Sequence, residues 1–248
     1  MKLDCILTSV NLNVLYLDFI PLFINTWSKL YPNVDIKIIL IATEIPEHLI
    51  QYEKFIILFK PINKINTSFT SQYIRLLYPC ILNYKNGVMI TDIDMIPMNR
   101  TYYTKNIENF TNDKFIYLRA NWPTQGFERC PQFAMCYNVA SSKIWSDIFK
   151  IKSIEDINER LIKINRHSGW STDQVDLCKY VIDWNKKTNN LILVKDNTTG
   201  FQRLGRIQSK HFNEKLKKNI LDGNYTDYHC SRPFKKYEEI LMKIYELL

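Results

Sequence analysis

The stretch from Gly87 to Pro97, GVMITDIDMIP, restricts the fold more than any other part of the chain. Its apolar run, Val88 to Ile90, follows a turn signal and is succeeded by Thr91, Asp92 and Asp94. Such a run predicts a strand that is buried on both faces. In extended backbone just past the strand, residues two apart point to the same side, so both carboxylates are expected to face one point. Two like charges so close repel unless a cation lies between them or one is protonated, and a divalent cation is the simplest solution.

The first half of the chain alternates between runs of strand length and segments with helical periodicity. Pro21 is expected to kink the first helix or delay its start, and Thr67 or Ser68 to cap the second. The alternation indicates βαβ units and an α/β fold, with a mostly parallel central sheet covered by helices on both faces. The predicted strands are Leu3–Val10, Asp35–Ala42, Phe55–Phe59 and Val88–Thr91, and the predicted helices are Leu15–Leu30 and Phe69–Leu82.

The second half is less regular, and its segments predict further strands and helices around two irregular stretches. We find no internal repeat, low-complexity tract or clear linker, so a single domain is expected. The predicted strands are Phe115–Ala120, Gln132–Val139 and Leu191–Val194. The predicted helices run from a Ser141 or Ser142 cap to Phe149, over Ile154–Asn165, from a Ser171 cap over Thr172–Trp184, and over Lys236–Leu248. Gly200–Ser209, which is basic, and Tyr225–Phe234 are expected to be irregular.

The composition favours a folded protein with an anionic partner. Of the 248 residues, 46% are hydrophobic and 13% aromatic, which is enough for a sizeable core. The net charge is +8, but the charge is spread along the chain rather than gathered in a dense stripe. Nucleic acid, a nucleotide diphosphate and an anionic membrane surface are all compatible with this charge.

Sequence features that report on cellular location point to the cytoplasm of a cell or, for a virus-encoded protein, of its host. No apolar run is long enough to cross a bilayer, and the segment after Met1 lacks the layout of a signal peptide. The six cysteines are scattered without a C-x-x-C pair, so buried free thiols are expected rather than disulfides or a zinc site. Usage rich in Asn, Ile and Lys is typical of AT-rich genomes, including some large DNA viruses and low-GC bacteria.

Polar residues also end the first predicted strand, at Thr8 and Ser9. In open parallel sheets, ligands bind beyond the carboxyl ends of the strands. Thr8, Ser9, Asp92 and Asp94 are therefore expected at one ligand-binding edge.

With these features in place, the chain resembles a GT-A fold glycosyltransferase of the type of glycogenin and the bacterial galactosyltransferases, a family 8-like enzyme. A buried strand that ends in D-x-D carries the resemblance, together with three motifs in the same order: SQYIRLLY at 71–78, TDQ at 172–174 and YHCSRPF at 228–234. The last motif departs from the family's H…K-P-W element, because Arg232 and Phe234 replace Lys and Trp. Val175 replaces a third polar residue after the D-Q pair. These departures affect the subfamily, the sugar and the stereochemistry more than the fold.

The resemblance implies a donor site in the first half, residues 1–98, and an acceptor half, residues 99–248, that also contributes the C-terminal motif. Asp92, Asp94 and His229 would bind a metal ion, for which Mn²⁺ is favoured over Mg²⁺ because Mn²⁺ accepts an imidazole ligand readily. Arg232 would bind the donor diphosphate as a permanent cation. The alternatives are a surface or hydrogen-bonded histidine and a solvated arginine.

Further donor contacts are expected from Arg75, Thr8, Ser9 and Asp92. Arg75 lies on the helix that leads towards the aspartates, where it either faces the donor or forms a structural ion pair. Thr8 and Ser9 would hydrogen-bond the base or the ribose, although strand ends face a cleft for architectural reasons alone.

Asp173 and Gln174 are the predicted catalytic residues. In an inverting enzyme, Asp173 would serve as the base for the acceptor hydroxyl, or it would contact hydroxyls of the donor sugar. In a retaining enzyme, Gln174 would lie beneath the anomeric carbon. The structural alternative is that Asp173 only helps to cap its helix.

Two tryptophans in predicted loops, Trp122 and Trp170, are expected to form walls of a sugar cleft, or else to anchor their loops. Trp27 and Trp145 lie in helical patterns and are assigned to the core.

The predicted activity is transfer of a sugar from a nucleotide diphosphate donor, most simply a UDP-sugar, to a glycan or protein acceptor. A nucleotidyltransferase is the first alternative, but Ser9–Asn13 lacks the glycine-rich basic loop expected there. A basic module that binds nucleic acid or an anionic surface is the second. Aspartates at the mouth of the sheet oppose the approach of phosphates without a metal, so no nucleic-acid partner is expected.

Overall fold

The computed structural model describes residues 1–120, 131–164 and 169–248. Within these ranges there are ten strands, β1 to β10, in chain order: Leu3–Asn11, Asp35–Ile41, Ile56–Phe59, Gly87–Ile90, Met95–Pro97, Phe115–Tyr117, Asn138–Ala140, Leu191–Leu193, Arg203–Leu204 and Asp227–His229. The helices α1 to α10 are Ile20–Leu30, Thr67–Leu77, Tyr102–Lys105, Ser142–Phe149, Ile154–Lys163, Thr172–Thr188, Asp196–Thr199, Arg206–Ser209, Glu214–Leu221 and Phe234–Glu246. Four 3-10 helices lie at Leu17–Phe19, Glu47–Phe55, Tyr78–Ile81 and Gly169–Ser171.

A seven-stranded sheet forms the centre of the molecule, with the strand order β3-β2-β1-β4-β7-β6-β8. Strands β3, β2, β1 and β4 are parallel to one another, whereas β7 is antiparallel to both β4 and β6. Helix α2 packs on β1 and β2 and against the helices α4, α5 and α6, and α1 contacts β2 and β5. The predicted α/β fold with a mostly parallel central sheet is confirmed.

Strand β4, which leads to the two aspartates, lies next to β1 in the middle of the sheet. All four of its residues are buried, as the apolar run predicted. Gly87 begins the strand because nothing larger fits there: a Cβ atom would lie 2.8 Å from Val139 Cγ1. The backbone continues the parallel pairing one residue further, since Thr91 N–H donates to Leu7 O at 3.0 Å.

The helix starts follow the local rules, with one correction. Pro21 lies in the first turn of α1 and delays its start to Ile20, after a short 3-10 turn. Helix α2 is capped by Asn66, not by Thr67 or Ser68, because the Asn66 side chain accepts from Ser68 N–H at 2.8 Å. Ser141 caps α4 as predicted.

The predicted strand over Gln132–Val139 is wrong for most of its length, since β7 begins only at Asn138. The Asn138 side chain donates to Ala134 O at 2.8 Å and to Met135 O at 3.0 Å, and these bonds hold a turn before the strand. The segment therefore bends away from the sheet instead of extending it.

A second sheet of three short strands, in the order β5-β10-β9, was missed by the sequence patterns. Strand β10 lies in Tyr225–Phe234 and β9 in Gly200–Ser209, both of which were expected to be irregular. Strand β10 pairs antiparallel with β5, directly after the aspartates, and Cys230 N–H donates to Asp94 O at 2.8 Å. This small sheet is what brings the C-terminal motif to the end of β4.

The core contains the tryptophans that were assigned to it. Trp27 and Trp145 are fully buried, and Trp145 donates its indole N–H to Val88 O at 3.2 Å. The five cysteines within the described ranges, Cys5, Cys80, Cys136, Cys178 and Cys230, are buried and form no disulfide with one another, as predicted. No helix in the part of the chain that the structure describes is long and apolar enough to cross a membrane.

Candidate active site

A cavity of about 530 Å³ opens beyond the carboxyl ends of β1 and β4. Most of the residues predicted for the site line it: Ser9, Arg75, Asp92, Asp94, Trp170, Asp173, Gln174, His229 and Arg232. They come from β1, α2, the end of β4, α6 and the segment around β10, so the fold gathers motifs that are far apart in the sequence. Trp122 lies outside the described residues.

Thr8 does not reach the cavity, which corrects one prediction. Strand β1 continues to Asn11 instead of ending at Thr8 and Ser9, and neighbouring residues of a strand point to opposite faces. Thr8 is therefore buried in the core, whereas Ser9 lines the cavity and donates from its hydroxyl to Ser71 O on α2. Asn11, which the sequence reasoning left out, also lines the cavity.

Asp92 and Asp94 do not lie in the extended backbone that the sequence predicted. They lie in a turn, where Met95 N–H donates to Asp92 O at 3.1 Å, and their carboxylates have different arginine partners. Asp92 is held by Arg75. The Asp94 carboxylate instead accepts a hydrogen bond from Arg206 Nη2 at 2.5 Å. Each carboxylate thus has its own guanidinium partner, and together the two aspartates connect two differently charged groups of side chains.

The first group, which we call the acidic end, consists of Arg75, Asp92 and Asp173. The Arg75 guanidinium bonds Asp92 and lies 3.5 Å from Asp173 Oδ2, and it also donates to Thr91 O at 3.1 Å. Arg75 thus forms an ion pair and also lines the cavity, two roles that the sequence presents as alternatives. Burial would lower the pKa of Arg75, but Asp92 and Asp173 raise it, so the guanidinium stays charged.

Asp173 is the buried carboxylate of this end. Burial raises its pKa to about 6, and the charge of Asp92 adds to the rise, although Arg75 opposes it. Asp173 Oδ1 also accepts the N–H of Gln174 at 2.9 Å at the start of α6. Through this bond Asp173 helps to cap its helix. The side chain still lines the cavity. The Ser171 side chain, which was expected to cap α6, makes no cap hydrogen bond.

The second group, the basic end, consists of Asp94, Arg206, His229 and Arg232. Besides Arg206, the Asp94 Oδ2 atom has His229 Nε2 at 3.5 Å and Arg232 Nε at 3.4 Å. Burial would raise the pKa of Asp94, but the hydrogen bond and charge of His229 and the contact with Arg206 lower it overall. One buried carboxylate therefore faces two guanidinium groups and an imidazole, which leaves an excess of positive charge for an anion.

Arg206 is the main residue that sequence reasoning missed. It is held in place because its Nε donates to Cys230 O at 2.9 Å, next to the strand that carries His229. The basic composition of Gly200–Ser209 was the one available signal. Arg203, from the same segment, also lines the cavity, where it bonds the buried Asp227 at 2.9 Å.

The predicted ligand set fits a divalent cation in its chemistry and in part of its geometry. The Asp94 Oδ2 and His229 Nε2 atoms are 3.5 Å apart, and two atoms that bind one ion at about 2.1 Å each lie about 3.0–3.5 Å apart. Asp92 is engaged by Arg75 and is not assembled with them. Accordingly, no group of three or more His, Cys, Asp and Glu side chains is arranged to hold a metal within residues 1–120, 131–164 and 169–248.

Trp170 lies at the edge of the cavity, in the 3-10 turn before α6. Its side chain is 64% exposed, which is unusual for an indole and leaves a ring face open to a ligand. The indole is therefore not a buried loop anchor, and its role as a wall of a sugar cleft stays a prediction.

Comparison with solved structures identifies the fold. The structure of the galactosyltransferase LgtC, in complex with donor and acceptor sugar analogues, matches with a TM-score of 0.51 and 13% identity over 96% of this chain and 95% of that one. The glycosyltransferase GlyE of Streptococcus pneumoniae TIGR4 matches with a TM-score of 0.52 and 13% identity over 99% of this chain and 63% of that one. The bifunctional glycosyltransferase WbbM gives 0.54 and 12% over 99% of this chain and 51% of that one. No family model and no curated protein matches the chain. At these identities the likeness shows the fold, and it confirms the GT-A fold that the motifs predicted.

Proposed function

We propose that this chain is a metal-dependent glycosyltransferase that moves a sugar from a nucleotide diphosphate, most simply a UDP-sugar, to a hydroxyl of a glycan or protein. The observation that supports this proposal is the convergence at Asp94. Arg206, His229 and Arg232, from a distant part of the chain, meet the end of β4 in a cavity at the carboxyl edge of a GT-A sheet. A site with this excess of positive charge suits a diphosphate.

In this proposal Asp94 and His229, whose Oδ2 and Nε2 atoms are 3.5 Å apart, would hold the metal, and Asp92 would complete the set by exchanging Arg75 for the ion. Mn²⁺ is favoured because of the imidazole, and Mg²⁺ is the alternative. The ion would supply Lewis-acid stabilisation of the diphosphate as negative charge develops on it. Arg232 and Arg206 bind the same oxygens with forked, permanently charged donors. Both arginines contact Asp94 Oδ2, so in this proposal they add two further cations beside the leaving group.

The remaining residues orient the two substrates. Ser9 contacts the nucleoside, and Arg75 fixes the acidic end by bonding Asp92 and facing Asp173. With its pKa raised to about 6, Asp173 is suited to accept the proton of an acceptor hydroxyl near neutral pH. Gln174 takes the position beneath the anomeric carbon if the enzyme is retaining. The proposal includes both an inverting and a retaining mechanism. Trp170 forms a wall of the sugar cleft. Residues 1–98 form the donor half of this enzyme and residues 99–248 form the acceptor half. We assign the reaction to the cytoplasm.

The test is donor hydrolysis and thermal shift with UDP-, GDP- and CMP-sugars, each with Mn²⁺, with Mg²⁺ and with EDTA. We expect one UDP-sugar to raise the melting temperature and to be hydrolysed only when a divalent cation is present. The absence of metal-dependent stabilisation by every nucleotide sugar, in protein that is folded, would overturn the proposal.

The same preparation separates the two alternatives. A nucleotidyltransferase would release diphosphate from a nucleoside triphosphate in the presence of a sugar phosphate. A basic binding module would bind a nucleic acid or anionic vesicles without a metal and would hydrolyse no donor.

A further inference from the structure

A second cavity of about 480 Å³ opens beside the first one. Four residues line both cavities: Tyr16, Trp170, Arg206 and Arg232. The second cavity is completed by Leu15, Lys210, Ser231 and Tyr237. The two cavities therefore adjoin along a border that runs from Arg206 and Arg232 of the basic end to Trp170, which lies three residues before Asp173. We call this second cavity the side groove.

The side groove is positively charged on one side. Arg206, Lys210 and Arg232 line it, and none of its lining residues among those that the structure describes is acidic. Arg206 and Arg232 already contact the Asp94 carboxylate, at 2.5 Å and 3.4 Å. Lys210 differs from them: its Nζ lies 5.5 Å from the centre of the Tyr237 ring, and it forms no ion pair with any described carboxylate. Among the described residues, Lys210 is thus the cation of the groove that has no carboxylate partner.

The rest of the lining is aromatic. Trp170 is exposed, and Tyr16 and Tyr237 contribute two more rings, with Arg232 4.6 Å from the centre of the Tyr16 ring. Aromatic faces stack on the C–H faces of sugar rings, and a free ammonium group attracts a carboxylate or a phosphate. A lining that offers both features matches a saccharide with an anionic group better than it matches a neutral sugar or a bare phosphate.

From this lining we infer that the side groove binds the acceptor, that the acceptor is an acidic saccharide, and that Lys210 pairs with its anionic group. The inference rests on the proposed function, because an acceptor is needed only if a sugar is transferred. Arg206 and Arg232 contact Asp94 and would bind the donor diphosphate. Lys210 would instead bind the anionic group of the acceptor. Lys210 is therefore a specificity residue rather than a catalytic one.

The experiment compares three probes that differ only at C6: glucose, glucuronate and glucose 6-phosphate. Their binding is measured by calorimetry to the full-length protein with Mn²⁺ and UDP present, so that the donor site is filled before the phosphate probe is added. The same titrations are repeated without Mn²⁺ and UDP. We expect at least one acid to bind about tenfold more tightly than glucose, the factor given by about 1.4 kcal/mol. Glucuronate and glucose 6-phosphate distinguish a carboxylate from a phosphate as the recognised group.

Two variants identify the residue. Lys210→Ala should remove the preference for the acid and leave the binding of UDP with Mn²⁺ unchanged, whereas Lys210→Arg should retain the preference. Lys236→Ala is the matched control, because Lys236 Nζ lies 5.6 Å from the centre of the same Tyr237 ring but outside the groove lining. The inference is overturned if glucose binds as tightly as both acids, if no probe binds, or if Lys236→Ala has the same effect as Lys210→Ala. Failure of UDP to bind counts instead against the proposed function, and the titrations without nucleotide then still report on the groove.

Discussion

The two ends of the cavity are built from the same kinds of side chain in opposite proportions. At the acidic end one guanidinium, Arg75, serves two carboxylates, Asp92 and Asp173. At the basic end the single carboxylate of Asp94 faces the guanidinium groups of Arg206 and Arg232 and the imidazole of His229. The turn from Asp92 to Asp94 joins the two ends, so the excess charge of the cavity lining changes from negative to positive between these two residues.

Under the proposed function this polarity matches the reaction. Positive charge develops on the sugar ring when a glycosidic bond breaks, and negative charge develops on the departing diphosphate. An environment with excess carboxylate stabilises the first charge, and one with excess guanidinium stabilises the second. The difference between the two ends therefore indicates the direction in which the donor lies, with its sugar towards Asp173 and its diphosphate towards Arg232.

The ends also differ in how far their guanidinium groups are exposed, although the Asp92 side chain at the acidic end is itself 29% exposed. The side chains of Arg75 and Asp173 are 7% and 5% exposed, whereas those of Arg206 and Arg232 are 30% and 27% exposed. Buried charges that bond one another are fixed before a ligand arrives, and partly exposed ones remain available to it. We therefore expect substitutions at the acidic end to act mainly on stability and substitutions at the basic end to act mainly on binding, with Asp94 affecting both.

The largest effect is expected from Asp94→Asn. This change removes one proposed metal ligand and the negative charge that Arg206 and Arg232 share, so turnover of the donor should fall about 10³-fold or more and the response to Mn²⁺ should disappear. The measurement is donor hydrolysis as a function of Mn²⁺ concentration. Asp222→Asn is the control, since Asp222 forms only an exposed pair with Lys218 at 2.6 Å. Retained Mn²⁺-dependent turnover in Asp94→Asn would refute its role as a ligand.

These expectations depend on contacts that the sequence revealed only in part. The first four strands and α1 and α2 were predictable because their apolar periodicity is local. Strands β5, β9 and β10 have only two or three residues each, which is too short for any period to show. Their pairing is decided by tertiary contacts, such as the bond from Cys230 N–H to Asp94 O.

The site divides in the same way. Asp92, Asp94, Asp173 and His229 were found because each belongs to a short motif at the end of an element. Arg206 was missed, since one arginine in a basic segment gains significance only when β10 pairs with β5 and brings Cys230 O within reach of its Nε atom. Thr8 was included wrongly, because the strand continues three residues beyond it.

The second prediction concerns the fixed pair at the acidic end. Arg75→Met keeps the length of the side chain but leaves Asp92 and Asp173 without their shared cation, so the free energy of unfolding should fall by about 3 kcal/mol. Urea denaturation in EDTA measures it. Arg206→Met is the matched variant at the basic end, and it should cost less than about 1 kcal/mol because Asp94 keeps two partners and the arginine is partly exposed. Equal losses in the two variants would contradict the proposed difference between the ends.

A double variant tests whether the loss in Arg75→Met comes from the unpaired carboxylates. Asp173→Asn in the Arg75→Met background should recover part of the stability, because it removes one of the two uncompensated charges. No recovery would assign the loss to packing of the Arg75 side chain instead.

The third prediction concerns the competition between Arg206 and Mn²⁺ for the Asp94 carboxylate. Because Arg206 occupies Asp94 Oδ2, Arg206→Ala should let Mn²⁺ bind the protein without donor more tightly, by severalfold, while donor turnover falls about tenfold through the lost contact with the diphosphate. Titration calorimetry with Mn²⁺ and steady-state hydrolysis measure the two effects. Lys210→Ala, which leaves Asp94 untouched, should change neither. If affinity for Mn²⁺ and turnover fall together in Arg206→Ala, the arginine has a structural role and does not compete with the ion.

The smallest effect is a pH dependence that belongs to the acidic end. Burial raises the pKa of Asp173 from 3.8 to about 6, so between these values the folded state binds the proton more tightly than the unfolded state. This contribution to stability is fully present below pH 3.8 and is lost as the pH rises through about 6. The stability of the wild type minus that of Asp173→Asn, measured by urea denaturation in EDTA, should therefore decrease as the pH rises from 4 to 6. Asp183 on the same helix is the control: the hydrogen bond and charge of Lys186 lower its pKa below 3.8, so its contribution is lost only as the pH falls below that value, and the wild type minus Asp183→Asn should stay nearly constant from pH 4 to 6. A difference for Asp173→Asn that stays constant or increases over this range would show that the carboxylate is ionised throughout and stabilised by Arg75, and the acidic end would then lack a group suited to accept a proton near neutral pH.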